Sequence, residues 1–166
     1  MSSTVKPIPD GYRTVTPYLC IRGAAKALDF YKRAFGAQVT VSMGGPGGLI
    51  SHAEMKIGDS MIMLADEMPM STGKSPESLG GTSVNLFLYL EDVDSVFNQA
   101  VAAGAKVEMP LADQFWGDRY GKLTDPFGHS WSLATHVEDV TPEDMGRRMK
   151  AAMAKMPQTA GATTGD

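Results

Sequence analysis

The sequence predicts an α+β fold made of two tandem βαβββ modules. The first observation is an internal repeat, since Gly36-Ala37-Gln38-Val39 returns as Gly104-Ala105-Lys106-Val107 about 70 residues later. The second is the order of patterns in each copy: an alternating run, a helical segment ending at Gly-Ala, and three further short alternating runs. A duplicated unit of this kind predicts a cupped mixed sheet with helices on its outer face and a ligand pocket between the halves.

The elements of the first copy follow from its periodicity. An alternating run from Thr14 to Ile21 predicts a strand, and the apolar stripe that follows predicts a helix ending at Gly36. Three more strands are predicted at 39–43, 50–57 and 60–65. Residues 1–11, which include two prolines, are predicted to form an extended lead-in.

The second copy repeats this order after a linker, 68–82, that is rich in proline, glycine and serine. Its pattern predicts a helix at 93–103 and a polar and aromatic stretch at 113–124, and its strands are predicted at 84–91, 106–111 and 129–137.

A helix start marks the end of the second copy. Thr141-Pro142-Glu143-Asp144 predicts a C-terminal helix over 141–156, with Thr141 as N-cap. Its methionine stripe is interpreted as core or dimer packing: Met145, Met149, Met153 and Met156. The small, polar residues 157–166 are predicted to be disordered.

Composition excludes several classes of function. The formal net charge is -4 and the basic residues are scattered, which is not typical of a nucleic-acid-binding protein. No apolar run reaches the length of a membrane span, and the single cysteine, Cys20, cannot form an intramolecular disulfide. We therefore expect a cytoplasmic protein with no nucleic-acid or membrane partner.

Strand alternation separates an aliphatic face, which should meet the helices, from a mixed face suited to a ligand. In the predicted strand 84–91, Phe87 and Tyr89 share the mixed face with Asn85. The residues predicted to line the cupped sheet are Thr16, Tyr18, Asn85, Phe87, Tyr89, Ser130, Ser132 and His136.

Several segments resemble the vicinal oxygen chelate superfamily, which includes glyoxalases, extradiol dioxygenases, fosfomycin-resistance enzymes and bleomycin-binding proteins. They are Ala24-Ala25-Lys26-Ala27-Leu28-Asp29-Phe30-Tyr31-Lys32-Arg33-Ala34-Phe35-Gly36 and Leu123-Thr124-Asp125-Pro126-Phe127-Gly128-His129. Trp116-Gly117-Asp118-Arg119-Tyr120-Gly121 resembles its PhnB-like branch. The resemblance implies one domain over 12–140, divided into module one (12–67), the linker (68–82) and module two (83–140).

The resemblance also bears on metal binding. Metal-dependent members take a His or Gln from the first strand of each copy and a Glu from the last strand. The matching positions are Thr16, Asn85 and Ser132, whose neutral oxygens bind transition metals poorly, so no cofactor is predicted. The alternative is a zinc, nickel, manganese or iron ion at a non-standard site formed by His52, Glu54, Asp66, Glu67 and His136. The other interpretation of His52 and Glu54 is the polar face of a solvated strand.

The aromatic stretch around Trp116 is a further candidate. Trp116 and Arg119 are suited to grip a planar or anionic molecule by stacking and bidentate hydrogen bonds. In the alternative interpretation, Asp118 and Arg119 lock a turn and Trp116 fills the edge of the core.

Together these observations predict a homodimeric protein that sequesters a small aromatic or amphipathic ligand without a metal. The alternative is a metal-dependent lyase or isomerase of glyoxalase type, in which a divalent cation chelates vicinal oxygens of the substrate.

Overall fold

The computed structural model describes residues 5–70 and 72–155. Module one contains β1 (Tyr18–Ile21), α1 (Ala24–Phe35), β2 (Gln38–Gly44), β3 (Ile50–Ile57) and β4 (Ser60–Asp66). The linker contains α2 (Pro76–Leu79). Module two contains β5 (Asn85–Tyr89), α3 (Val93–Ala103), β6 (Lys106–Asp113), β7 (Asp118–Thr124) and β8 (Ser130–His136), and α4 (Pro142–Lys155) follows it. The predicted α+β fold with tandem βαβββ modules and a C-terminal helix is confirmed.

The strands form two four-stranded sheets of identical topology. The order is β1-β4-β3-β2 in the first sheet and β5-β8-β7-β6 in the second. In each sheet the first strand pairs in parallel with the last strand of its module, and the other pairs are antiparallel. Each sheet is therefore mixed, as the repeat predicts.

Two local expectations differ from the structure. The first strand begins at Tyr18 and not at Thr14, because Pro17 has no N–H to continue the ladder. Thr16 thus lies outside the strand whose mixed face it was predicted to share. The linker, in which the sequence predicts no helix or strand, contains the short helix α2, whose first turn is capped by the Ser75 side chain.

The hydrophobic core lies between the helices and the aliphatic faces of the sheets. Tyr31 on α1 and Trp131 on β8 are fully buried, with ring centroids 5.3 Å apart. Both donate hydrogen bonds to the buried carboxylate of Asp125, at 2.7 Å and 2.9 Å. A helix of module one is thereby attached to the sheet of module two.

A second buried carboxylate fixes the start of α1. Asp66 accepts hydrogen bonds from the backbone N–H groups of Gly23 and Ala24 at 2.8 Å and 2.9 Å. Its other oxygen accepts from the N–H of Ile50 at 2.7 Å. A carboxylate at a helix N-terminus satisfies donors that have no partner within the helix, so Asp66 stabilises the fold.

The C-terminal helix α4 lies on the surface. None of its residues is buried, and Met149 and Met153 are exposed. An ion pair of 2.6 Å between Arg148 and Glu138 links it to the segment after β8. Met156 and the predicted disordered tail, 157–166, lie outside the described residues. No helix within 5–70 and 72–155 is long and apolar enough to cross a membrane.

Candidate functional site

The mixed face of the second sheet carries a cluster of aromatic rings. Phe87 and Tyr89 on β5 have ring centroids 4.9 Å apart, and Phe87 stacks on Tyr120 of β7 at 5.8 Å. Trp116 meets the Tyr120 ring edge-on at 5.8 Å. Phe87 is 45% exposed and Tyr89 is 66% exposed, so much of this aromatic surface faces outward. We call these four residues the aromatic face.

The carboxylate of Asp118 organises one end of the aromatic face. Asp118 is only 3% exposed, and its Oδ2 accepts hydrogen bonds from Tyr89 Oη at 3.1 Å and from Trp116 Nε1 at 3.0 Å. Its Oδ1 lies 2.8 Å from Nδ1 of His136. Three residues predicted to bind ligand are therefore held in place by one buried acceptor.

His136 is held between two carboxylates. Its Nδ1 faces Asp118, and its Nε2 lies 3.0 Å from an oxygen of the exposed Asp139. The hydrogen bond to Asp118, followed by that to Asp139, raises the pKa of His136 above its usual value of 6.5. Both ring nitrogens act as donors in this arrangement, which favours the charged imidazolium.

The other end of the aromatic face is a row of hydroxyl and amide groups. Ser130 donates to Oδ1 of Asn85 at 2.9 Å, and Nδ2 of Asn85 donates to Oγ of Ser132 at 2.8 Å. The hydroxyls of Ser132 and Tyr120 are also 2.8 Å apart. A cleft of about 550 Å³ opens beside this row, and Ser130, Lys122 and linker residues Gly81 and Thr82 lie in its wall.

The turn before β7 depends on one glycine. Gly117 has φ +97°, and a Cβ there would lie 2.1 Å from the carbonyl oxygen of Glu138. That approach is impossible for any other residue, so Gly117 sets the path that brings Trp116 and Asp118 together. At Gly121, by contrast, the constraint is packing, because a Cβ would lie 2.6 Å from the Phe97 ring on α3.

The structure places Arg119 away from the aromatic face. Its guanidinium donates to both oxygens of Asp94 on α3, at 2.5 Å and 2.6 Å, and to Asp113 on β6 at 3.1 Å. The bonds to Asp94 and Asp113 raise the pKa of Arg119. Arg119 thus links the outer helix to the sheet. Its sequence-based assignment as a ligand contact receives no support from this position.

The positions that correspond to the metal ligands of the family do not form a strong donor set. Asn85 and Ser132 are hydrogen-bonded to each other, and the Thr16 hydroxyl donates to the carbonyl oxygen of Arg13 at 3.3 Å. All three supply neutral oxygens, which suit a transition metal poorly. These side chains are therefore not suited to bind the metal ion that the metal-dependent members of the family use.

The residues of the alternative metal site are distributed over three places. Asp66 is committed to backbone N–H groups, as described above. Glu67 accepts hydrogen bonds from Ser75 and Ser78, which lower its pKa to about 2, while His136 lies on module two. Within 5–70 and 72–155 no three His, Cys, Asp or Glu side chains are arranged to hold a metal ion.

His52 and Glu54 are neighbours on the mixed face of the first sheet. Nε2 of His52 lies 3.1 Å from Glu54, and Nδ1 lies 3.1 Å from the hydroxyl of Tyr18. The hydroxyl of Tyr12, the first residue of module one, donates to the other oxygen of Glu54. Hydrogen bonds therefore connect these side chains to one another. On a fully exposed strand, each side chain would instead be solvated separately.

Sequence reasoning missed Tyr120 and the anchoring role of Asp118. Tyr120 lies on the same face as Phe87 because β7 alternates in register with β8, with Tyr120 opposite Ala134. The sequence pattern marks Trp116 and Arg119 of the stretch 113–124 as ligand contacts but predicts no strand there, whereas β7 occupies 118–124. Counting back by twos from Thr124, the last residue of β7, places Tyr120 and Asp118 on one face.

Comparison with known proteins agrees with this architecture. The sequence model described as "Glyoxalase/Bleomycin resistance protein/Dioxygenase superfamily" matches residues 14–133. An uncharacterized protein of Mycobacterium tuberculosis, Rv0887c, is 44% identical over 140 residues, which cover 82% of each chain. The crystal structure of TioX from Micromonospora sp. ML1 is 26% identical with a TM-score of 0.62, and the match covers 75% of this chain and 99% of that one. The PhnB protein from Bacillus cereus, at 22% identity and a TM-score of 0.56, covers 74% of this chain and 99% of its own and shows the same fold.

The match of the superfamily model to residues 14–133 spans most of both modules. With the tandem βαβββ architecture described above, it shows that this chain belongs to the glyoxalase/bleomycin resistance protein/dioxygenase superfamily.

Proposed function

We propose that this protein binds a small planar aromatic or amphipathic molecule on the aromatic face and acts by sequestering it. The observation that carries the proposal is the fixed orientation of outward-facing rings, since Tyr89 and Trp116 both donate to the buried Asp118. Rings that are ordered before binding lose little conformational freedom when a ligand stacks on them. The superfamily description includes bleomycin resistance proteins, which supports sequestration as a role.

The polar groups around the face match such a ligand. The exposed Asn85 offers its side-chain amide at one end, whereas Ser132 is fully buried and only supports Asn85. At the other end His136 holds Asp118 and Asp139 with its two ring nitrogens. A ligand with an aromatic body and a polar substituent that reaches Asn85 fits this arrangement. The neutral oxygens of Thr16, Asn85 and Ser132 favour binding without a metal over the glyoxalase-type reaction.

Titration with aromatic compounds should quench the fluorescence of Trp116. The only other tryptophan, Trp131, is fully buried and should not respond. The probes would be bleomycin, naphthalene-2-sulfonate and proflavine, which differ in size and charge. We expect saturable quenching by at least one, and about a tenfold weaker Kd by calorimetry in Trp116→Ala.

The matched control is Val101→Ala, on the outer helix α3, which should leave the Kd unchanged. Absence of saturable binding by all three probes would contradict the proposal, as would equal affinity of Trp116→Ala and the unaltered protein.

Metal content separates sequestration from the glyoxalase-type alternative. We expect less than about 0.1 equivalent of metal after purification without chelator and dialysis against zinc, nickel, manganese or iron(II), because no strong donor set is assembled. Elemental analysis by plasma mass spectrometry provides the measurement. Retention close to one ion per chain would contradict the metal-free proposal and favour the lyase or isomerase.

We also propose that the protein is a homodimer. Large apolar side chains on the mixed faces of both sheets are about half exposed, including Met43 (55%) and Met109 (45%). A second copy that covers part of these faces would remove apolar surface from water. Size-exclusion chromatography with light scattering should give twice the chain mass of 17.7 kDa at micromolar concentration. A mass of one chain would contradict the homodimer.

The cytoplasmic location of the protein stays a prediction.

A further inference from the structure

We propose that Tyr18, His52 and Glu54 form a proton relay that removes a proton from a small carbon acid bound against the first sheet. This activity needs neither a metal nor the aromatic face of the second sheet. It is therefore independent of the sequestering function proposed above.

The geometry of the relay is continuous. Tyr18 comes from β1, whereas His52 and Glu54 come from alternate positions of β3 and share its mixed face. The Tyr18 hydroxyl lies 3.1 Å from Nδ1 of His52, and the opposite ring nitrogen lies 3.1 Å from Glu54 Oε1. Tyr12 holds the second oxygen of Glu54, so the carboxylate is fixed from two sides.

The hydrogen bonds define where the protons are. Hydrogen bonds from Tyr12 and His52 lower the pKa of Glu54, which is therefore an ionised acceptor at neutral pH. His52 must then carry its proton on Nε2, facing Glu54, which leaves Nδ1 free to accept from the hydroxyl of Tyr18. A carboxylate that orients an imidazole toward a hydroxyl is the arrangement that general-base catalysis uses.

A cleft beside Tyr18 can hold the substrate. Its volume is about 360 Å³, and its wall includes Tyr18, Cys20, Ser51, Ala65 and Met68. Asp66, Thr72 and Gly73 complete the wall. Its polar groups are therefore the hydroxyls of Tyr18, Ser51 and Thr72 and the Asp66 carboxylate, which already accepts hydrogen bonds from backbone N–H groups. Such a lining suits a compact molecule with a C–H bond made acidic by a neighbouring carbonyl or ring heteroatom.

The proposed step balances as a transfer of two protons. The Tyr18 oxygen takes the proton of the substrate as its own proton passes to Nδ1 of His52. The carbanion electrons stay on the substrate, and the new imidazolium is stabilised by the Glu54 carboxylate. Tyr18 is the catalytic residue in this step, and His52 and Glu54 are positioning residues that act through it.

The test uses 5-nitrobenzisoxazole, a compact carbon acid that needs only a base. Removal of its ring C–H proton is followed by cleavage of the N–O bond, which gives a coloured cyanophenolate. We expect kcat/KM to fall at least about tenfold in both Tyr18→Phe and His52→Gln. In Glu54→Gln, kcat should fall with KM unchanged, because the carboxylate does not touch the substrate.

Asp29→Asn is the matched control, since Asp29 is an exposed carboxylate on α1 that only approaches Lys32 at 3.5 Å. It should keep the full rate. Equal rates in His52→Gln and the unaltered protein would overturn the relay. If His52→Gln loses activity and Tyr18→Phe keeps it, the role of Tyr18 is overturned, because His52 would then take the substrate proton directly.

Nitrogen NMR gives a readout that a purely structural role would not move. At neutral pH the ring of His52 should show a protonated Nε2 and a non-protonated Nδ1. The opposite tautomer would overturn the relay whatever the rates are. Failure of the relay would leave the titration of Trp116 unaffected, so the two proposals fail separately.

Discussion

Replacing Asp125 by alanine should lower the free energy of unfolding by about 3 kcal/mol or more, as measured by urea denaturation. The Asp125 side chain accepts from Tyr31 Oη and Trp131 Nε1 through one oxygen and from the N–H groups of Phe127 and His129 through the other. Removing the carboxylate leaves these donors without their partner in the core. A buried donor without a partner costs about 1–3 kcal/mol.

The effect reaches both modules because Tyr31 belongs to α1 and the other three donors belong to module two. Burial, the charge of Asp125 and the hydrogen bond to it raise the pKa of Tyr31 well above its ordinary value, so Tyr31 is a donor at neutral pH. Asp125→Asn should also destabilise, because its NH₂ group would face N–H or O–H donors.

Asp29→Ala, on the exposed side of the same helix, is the control and should change the unfolding free energy by less than about 0.5 kcal/mol. If the free energy of unfolding of Asp125→Ala falls by less than about 1 kcal/mol, the stability of the two modules does not depend on the hydrogen bonds to Asp125.

Replacing Asp118 by asparagine should weaken binding to the aromatic face about tenfold, measured with the same aromatic probes. One oxygen of Asp118 accepts from Tyr89 and Trp116 and the other from His136. Whichever way the asparagine amide is turned, its NH₂ group faces at least one of these donors. The rings then lose the fixed orientation on which the proposed binding depends.

The pKa of His136 reports on the same contact. In the unaltered protein it should titrate above 6.5, and in Asp118→Asn its pKa should fall toward that value, as followed by proton NMR. Because the pKa is raised in the folded state, the His136 contribution to stability is complete below pH 6.5 and is lost as the pH rises through the folded pKa. An unchanged pKa of His136 in the variant would contradict the anchoring role of Asp118.

Most of the fold could be predicted from local patterns. Helix ends at Gly36 and Gly104 and the alternation of β5 and β8 depend on neighbouring residues, and the structure has them where the sequence indicates. The strand β1 was predicted too long because alternation continued through Pro17, whose missing N–H is a local signal that was overlooked.

The candidate site could be predicted only in part. Alternation correctly grouped Asn85 with Ser132, which are hydrogen-bonded. It could not show that Arg119 faces α3, because that depends on Asp94, a residue of a separate element. Nor could it connect Tyr18 to His52, which are 34 positions apart in the chain.

The sequence by itself determined the duplicated βαβββ architecture, the superfamily and part of each mixed face, since periodicity and turn chemistry act over a few residues. Tertiary structure alone decided which carboxylates anchor the molecule. Asp66, Asp118 and Asp125 resemble any other surface acid in the sequence, yet each is at most 5% exposed. The physical reason is that a charge can be buried only where several donors converge on it, and those donors come from elements brought together by folding.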